Sequence, residues 1–256
     1  MIEQFSKIPK DKKVFIASDF HLTGVPSDME SERESLAVRW LEMIKEDAAA
    51  IILAGDVFDF WFEYQTVVPK GAIRLIGKLA EIADYGIPII FFKGNHDLWL
   101  KEYFEKEIGA IIYGSPQSFQ VGNQKIMIGH GDGLGPGDRK FKMIKKVFTF
   151  GLNKWLFRWM HPDIGMKLGR YWSKKSWTKN MSRPDPYLGE REPLYLWCKE
   201  KESTEHHDYY IFGHRHLQYE MPINETAKYI NLGDWLNDRT YVAIDSTEVK
   251  VLKIED

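Results

Sequence analysis

The chain predicts an α/β fold in which two mixed β-sheets face one another with helices on the outside. Three observations carry this. Compact apolar runs alternate with helix-period segments up to residue 92. Shorter strand-like runs fill 111–129 and 209–254. A polar motif bearing Asp, Asn or His closes five of the runs. A β-α-β-α-β order calls for parallel strands with helical crossovers, and loops at the carboxyl ends of such strands form the natural ligand crevice.

Val14–Ser18 is a short apolar run with β-branched and aromatic members and reads as a buried strand ending in Asp19 and His21. From Glu32 to Ala48, Leu36, Trp40, Met43, Ile44 and Ala48 recur at helical spacing. Ile51–Ala54 is a second strand, delivering Asp56. Lys70 to Tyr85 is a second helix with Ile73, Ile76, Leu79, Ala80 and Ala83 on one face, ended by Gly86 with Pro88 beyond. Pro88–Phe92 is a third strand, leading to Asn95 and His96, and Asp97 is placed to cap a following helix. Ile111–Gly122 and Lys125–Gly129 read as antiparallel strands around Gly122-Asn123, ending at His130. Gly133–Gly137 is a turn-rich hinge. Lys140–Phe150, Leu152–Met160 and Ile164–Asn180 read as helices, and Arg183-Pro184-Asp185-Pro186 marks the return. Pro193–Glu202 is helical, and strands follow at Tyr209–Phe212, Tyr219–Pro222, Lys228–Asn231, Tyr241–Ala243 and Val249–Ile254. The expected division is a core of 1–133 and 191–256 carrying a helical insertion, 134–190, over the site.

With 44% hydrophobic and 28% charged residues, the composition is that of a soluble globular protein. No run is long enough to span a bilayer, and Met1 to Lys13 is polar with four Lys, unlike a signal peptide. The single Cys198 excludes an internal disulfide, fits a reducing compartment and reads as structural. The net charge of −2 hides an asymmetry: Arg139 to Arg183 holds 13 Lys and Arg against one acid, Asp163, a net +12 that leaves −14 for the rest. Phe148, Phe150, Trp155, Phe157, Trp159, Tyr171, Trp172 and Trp177 are interleaved with these cations. Acids are too few for intrahelical ion pairs to balance the charge. The pattern is that of an interfacial amphipathic segment facing an anionic, partly apolar partner, in preference to nucleic acid or a solvated face.

The five motifs are Asp19-Phe20-His21, Gly55-Asp56, Gly94-Asn95-His96-Asp97, Gly129-His130 and Gly213-His214-Arg215-His216. They supply two Asp, one Asn and four His, a mixture of hard oxygens and imidazole nitrogens that suits Mn²⁺, Fe or Zn over Ca²⁺. Asp56 is the candidate carboxylate shared by two ions. Asp19, His21, Asp56 and His216 are expected to hold one, and Asp56, Asn95, His130 and His214 the other. Two adjacent ions equip a site for phosphate-ester hydrolysis. His96 is left over from both sets and is the candidate catalytic residue, placed to stabilise the phosphoryl oxygens or protonate a leaving group, with Asp59 expected to accept a hydrogen bond from it and fix its tautomer. Each motif alone has an ordinary reading as a turn or helix cap; the ordered set carries the metal reading. His161, His206 and His207 are expected at the surface or at helix ends, and Trp61 and Trp99 in packing.

The motif series resembles the calcineurin-like metallophosphoesterase superfamily. Within it the chain is most similar to the UDP-2,3-diacylglucosamine pyrophosphatases of lipid A biosynthesis, through Ser18–Leu22, Gly55–Trp61 and His130–Leu134 followed by Asp138 and Phe141. The resemblance implies a four-layer sandwich with a helical lid. It implies Mn²⁺-dependent cleavage of UDP-2,3-diacylglucosamine to UMP and 2,3-diacylglucosamine 1-phosphate, by a cytoplasmic protein peripheral to the inner membrane. Substrate contacts are then expected from Asn95, His96, Asp138, Arg170, Ser173, Lys174 and His214. Trp177 and Asn180 stand where better-known members carry Asn and Lys, and Arg215, where Thr is common, is expected to point away from the metals. The expected partners are a nucleotide-lipid and the membrane surface, with neither nucleic acid nor a protein partner. The alternatives are another phosphodiester substrate on the same core, or a non-catalytic module retaining the fold.

Overall fold

The structure is a computed structural model describing residues 3–5, 8–9, 11–137, 139–182 and 186–255, with side chains given for these except at 3–4, 140 and 174–182. One sheet contains β1 (Glu3–Phe5), β6 (Gln117–Val121), β7 (Gln124–Gly129), β8 (Tyr209–Phe212), β9 (Gln218–Pro222) and β10 (Lys228–Leu232), in the order β1-β6-β7-β8-β10-β9. The other contains β2 (Lys13–Ala17), β3 (Ala48–Leu53), β4 (Ile89–Phe92), β5 (Ile111–Tyr113), β11 (Thr240–Ile244) and β12 (Val249–Lys253), in the order β12-β11-β2-β3-β4-β5. The run β2-β3-β4-β5 is parallel, as are β7-β8 and β8-β10.

Strand alternation explains the layers. On β2, Val14 and Ile16 enter a core between the sheets with Ile52, Phe92, Ile128, Ile211 and Val242. Phe15 and Ala17 point the other way, under α1 (Asp28–Ile44), α2 (Ile73–Asp84) and α3 (Tyr103–Ile108). A strand apolar on both faces is one that is covered on both. The sheet of β7, β8, β10 and β9 is covered by α7 (Pro193–Glu202) through Leu194, Tyr195 and Cys198, which is buried and free.

Several elements depart from the sequence reading. α1 begins earlier, because Ser27 caps it by accepting from Glu30 N at 3.1 Å. It ends at Ile44, leaving Met43 exposed and Ala48 as the first residue of β3. α2 buries Leu75, Leu79 and Ile82, and Ile73 is 78% exposed at its first position. Of the expected stripe, Leu79 is buried and Ile76 and Ala83 pack against the core, while Ile73 does not; the buried face is centred on Leu75, Leu79 and Ile82. The 111–122 run splits at Gly114-Ser115-Pro116, sending β5 and β6 to different sheets, since Pro cannot donate to a central ladder. Three-residue β1, parallel to β6, gave too short a pattern to read. Asp97 caps no helix: α3 starts at Tyr103, and Glu63 accepts from the N–H groups of Lys101, Glu102 and Tyr103.

The basic segment forms α4 (Arg139–Thr149), α5 (Gly151–Arg158) and α6 (Pro162–Ser182). It docks through Phe157, buried with Phe62 and Tyr64, and through Trp99, which packs on Phe157 and donates Nε1–H to Phe148 O at 2.8 Å. Trp61 lies 2% exposed in the core. Gly169 on α6 rests on the Phe60 ring with no room for a Cβ. Met143, Phe150, Leu152, Trp155, Leu156, Trp159 and Tyr171 remain exposed; Trp177 and Asn180 have side chains outside the described set. Among the described residues, no helix is long and apolar enough to cross a membrane.

Candidate metal centre

All five motifs follow the carboxyl ends of parallel strands: β2, β3, β4, β7 and β8. Beyond the strands the ladder continues through the loops. Asp19 N donates to Gly55 O, His21 N to Asp56 O, Gly213 N to His130 O and Trp235 N to Asp19 O, all at 3.0–3.1 Å. Five predicted ligands, Asp19, His21, Asp56, His214 and His216, hold positive φ between 48° and 71°; the other non-glycine residues in that region, among those described, are Ala72 and Arg239. Left-handed backbone at non-glycine residues is disfavoured and persists where surrounding contacts over-determine it. Here it turns consecutive side chains into one space.

That space is nearly closed: Asp19 and His21 are fully buried, with Asp56 and His130 within 3% of it. Asp19, His21, Asp56 and His216 offer ligand atoms all within 4.8 Å of one another. His216 Nε2 stands 3.2 Å from Asp19 Oδ1 and 3.1 Å from His21 Nε2. On the other side of Asp56, His130 Nε2 lies 3.3 Å from both Asp56 Oδ2 and Asn95 Oδ1, and the His214 ring sits 5.2 Å from that of His130. Atoms bonded to one ion at about 2.0–2.2 Å stand about 3–3.5 Å apart. Asp19 Oδ1 and Asp56 Oδ2 are buried and accept no well-formed hydrogen bond, a state that is unfavourable without a cation. The donor set therefore fits a pair of divalent ions.

The far edges of the imidazoles are held. A carbonyl can only accept, so His130 Nδ1 carries a proton and donates to Ala54 O at 3.0 Å; Nε2 is the nitrogen turned toward Asp56, and it is the one that would give up its proton to bind a metal. His21 Nδ1 faces Asp59 Oδ1 at 3.5 Å, and His216 Nδ1 faces Asp234 Oδ2 at 3.7 Å. Arg33 Nη1 donates to His21 O at 2.6 Å. Asn231 Nδ2 donates to Gly213 O at 2.7 Å, steadying the last motif. Arg215 turns away from the ligands, its Nε and Nη2 donating to the buried carboxylate of Glu192. Sequence reading missed Asp234, although Gly233-Asp234 after β10 repeats the Gly-Asp signature of Gly55-Asp56. It also missed the role of Asp97, whose carboxylate accepts from Val57 N and Gly94 N and so ties the second motif to the third.

Electrostatics follow from this crowding. Burial disfavours charge on His21, yet the facing carboxylates of Asp19, Asp59 and Asp56 outweigh it and lift the imidazole to about 10. His130 is likewise raised to about 10, burial being overcome chiefly by Asp56. Burial opposes ionisation of Asp56 and Asp59, but the surrounding imidazoles hold both well below the usual carboxylate range. His214 goes the other way, to about 4, through burial and the charge of His130. Asp97 is raised to about 6 by burial and by Asp56.

His96 Nδ1–H donates to the backbone carbonyl of Asp59 at 3.1 Å, with Asp59 Oδ1 at 3.4 Å and Ser173 Oγ of α6 at 3.1 Å. Burial lowers its pKa and Asp56 raises it, for a net rise. Arg170, one turn before Ser173, has a buried Nε without a hydrogen bond. Asp138 lies outside the described residues, as does the side chain of Lys174. Of the remaining histidines, His161 and His206 are exposed. His207 is fully buried, contrary to expectation, with Nε2 2.7 Å from Ser118 Oγ; it folds under the end of α7 to join Tyr210.

A methyl at Gly94 would overlap Asp56 Oδ1 and Asp56 N. Gly94→Ala is expected to retain the far-UV spectrum but lower phosphodiester hydrolysis by about 10²-fold, since small misplacements of reacting groups are that costly. Turnover within threefold of wild type would show that the Asp56 position tolerates displacement.

A model of the family described as calcineurin-like phosphoesterase matches residues 12–218. A protein of Porphyromonas gingivalis named UDP-2,3-diacylglucosamine hydrolase is 33% identical over 95% of this chain and 98% of its own length. One of the same name from Tolumonas auensis is 22% identical over 94% and 96%. With the fold, the buried Asp/His cluster and these matches together, the chain belongs to the calcineurin-like phosphoesterase family and is a hydrolase of the metallophosphoesterase type.

Proposed function

We propose that this hydrolase cleaves the diphosphate of UDP-2,3-diacylglucosamine, consuming one water and releasing UMP and 2,3-diacylglucosamine 1-phosphate, at the cytoplasmic face of the inner membrane. The observation that carries the substrate reading is the near full-length similarity to relatives of that name. The basic helical segment supports it: its exposed Phe150, Trp155 and Trp159, set among Lys and Arg, suit acyl chains and an anionic lipid surface. On this reading 134–190 is the lid over the core of 1–133 and 191–256, and Mn²⁺ is the metal.

Asp19, His21, Asp56 and His216 would hold one ion, and Asp56, Asn95, His130 and His214 the other. When bound, such ions supply Lewis acidity at phosphorus and an acidified water. The protein's own groups do the rest. Asp59 O holds the Nδ1 proton of His96, orienting the ring. The raised pKa of His96 suits it to carry a second proton near neutrality and give it to the departing phosphate oxygen. Asn95, Arg170, Ser173, His214, Asp138 and Lys174 are the proposed substrate contacts; Arg170 and Ser173 lie one turn apart on α6, and Ser173 reaches His96. Buried walls around Asp19 and His21 exclude bulk water.

The test is to incubate Mn²⁺-loaded protein with UDP-2,3-diacylglucosamine and assay for UMP. Cleavage of a soluble chromogenic diester with no UMP from the lipid substrate would reject the substrate while leaving the phosphoesterase in place. His96→Ala is expected to lower kcat by about 10²- to 10⁴-fold at saturating Mn²⁺ without changing bound metal; an unchanged kcat would remove His96 from the chemistry.

A further inference from the structure

One face of α6 runs down onto the loops of the metal centre. Among the described side chains of this helix, the buried residues are Gly165, Gly169 and Ser173, spaced four apart. Residues at that spacing lie along one side of a helix. Each meets a different point of the core. Gly165 lies against the hydroxyl of Tyr64 and Gly169 against the ring of Phe60, and a Cβ at either position would overlap those groups. Ser173 is 6% exposed, and its Oγ stands 3.1 Å from His96 Nδ1. Leu168, packed against Phe62, Tyr64 and Phe157, supplies apolar contact at the flank of this seam. The two glycines bury almost no side-chain area and so add little adhesion. What they allow is close approach of the helix backbone. That approach puts the hydroxyl one turn further on within hydrogen-bond distance of His96. The core side is equally compact, because Phe60 follows Asp59, whose carbonyl accepts from the same Nδ1 at 3.1 Å.

We propose that Ser173 is a positioning residue for His96, so that seating α6 on Phe60 aims the proton donor. This rests on the reading of His96 given above and adds what holds its ring. Nδ1–H is donated to Asp59 O, and Ser173 Oγ at the same distance is a second acceptor for that proton. One acceptor belongs to the core and the other to the lid. A single hydrogen bond lets an imidazole swing about it, whereas two acceptors on different elements fix the ring plane. The direction of Nε2 is fixed with it, and Nε2 is the nitrogen left to hand a proton to the departing phosphate oxygen. The lid therefore serves the chemistry as well as the lipid. Ser173 matters even for a substrate with no acyl chain, in addition to its proposed contact with the sugar-lipid.

The test is a double-mutant cycle on a soluble phenyl phosphodiester, which has neither sugar nor acyl chain and whose phenolate needs a proton as it leaves. kcat and KM are measured at saturating Mn²⁺ for wild type, Ser173→Ala, His96→Ala and the two changes together. Ser173→Ala removes one oxygen, so bound metal and the far-UV spectrum should not change. Its kcat should fall by about tenfold with KM within about twofold, as for one lost hydrogen bond where aim matters. In the His96→Ala background the same change should lower kcat by less than about twofold, because no ring is left to aim. Equal losses in the two backgrounds overturn the proposal. So does an unchanged kcat for Ser173→Ala, whether or not KM rises. The readings fail separately. If wild type cleaves the phenyl diester and not UDP-2,3-diacylglucosamine, the substrate reading falls and the cycle still judges Ser173. If His96→Ala keeps full kcat, the proton-donor reading falls and takes the role of Ser173 with it. If His96→Ala is impaired and the cycle is additive, only the role of Ser173 falls.

Discussion

Asp56→Asn is expected to lower phosphodiester hydrolysis on the order of 10³-fold and to reduce bound Mn²⁺ from two ions per chain to one or fewer. Asp56 Oδ2 is a carboxylate oxygen placed near an imidazole of each half of the cluster. That oxygen stands 3.3 Å from His130 Nε2 and 3.8 Å from His21 Nε2, while Oδ1 accepts from His96 N at 2.8 Å. The amide of Asn keeps that last contact and the side-chain volume, so the fold should survive. It loses the negative oxygen that can serve two cations. Elemental analysis of metal-saturated protein after desalting gives the stoichiometry, and chromogenic hydrolysis gives the rate. Two tightly held ions in the variant with turnover within tenfold of wild type would show that Asp56 is not shared.

The metal-free protein should lose stability as pH rises from about 6.5 to about 10, with a fall in Tm on the order of 10 °C, and the Mn²⁺-loaded protein should not. His21 and His130 are raised from an ordinary value near 6.5 to about 10 in the folded state. A base whose folded pKa exceeds its unfolded one contributes stability in full below the unfolded value. That contribution disappears as pH climbs through the folded one. The protonated imidazoles are paired with Asp19, Asp56 and Asp59, and losing those protons leaves buried carboxylates facing one another. A cation replaces the protons, so loading at pH 7 should release protons, measurable as buffer-dependent calorimetric heats, and apparent metal affinity should rise with pH. Matching stability profiles for metal-free and loaded protein over pH 6.5–10 would contradict this account.

The parallel β2-β3-β4 unit and its crossovers were legible because strands covered on both faces leave continuous apolar runs, and Gly86-Ile87-Pro88 punctuates the second helix. The predicted strands at 209–254 occur within a residue or two of their places. The errors came where sequence pattern is degenerate. A helix stripe such as Ile73-Ile76-Leu79 leaves its end open: Ile76 and Leu79 meet the core, while Ile73 at the first position is exposed and Leu75 and Ile82 are buried in addition. Asp97 reads equally as a cap or as a loop clamp, and only the approach of Val57 and Gly94 decides. His207, in a polar stretch, gave no sign of burial.

By itself, the sequence determined the family, the chemistry class and the residue types at the centre, since five short motifs at strand ends carry both ligand identity and order along the chain. Tertiary structure decided how those residues meet. Positive φ at Asp19, His21, Asp56, His214 and His216 aims side chains from distant loops into one buried space. The carbonyls of Ala54 and Asp59, and the carboxylates of Asp59 and Asp234, set which edge of each imidazole faces inward. These are contacts between strand ends and loops that local periodicity does not encode, because their partners are chosen by the packing of whole layers and not by neighbours along the chain.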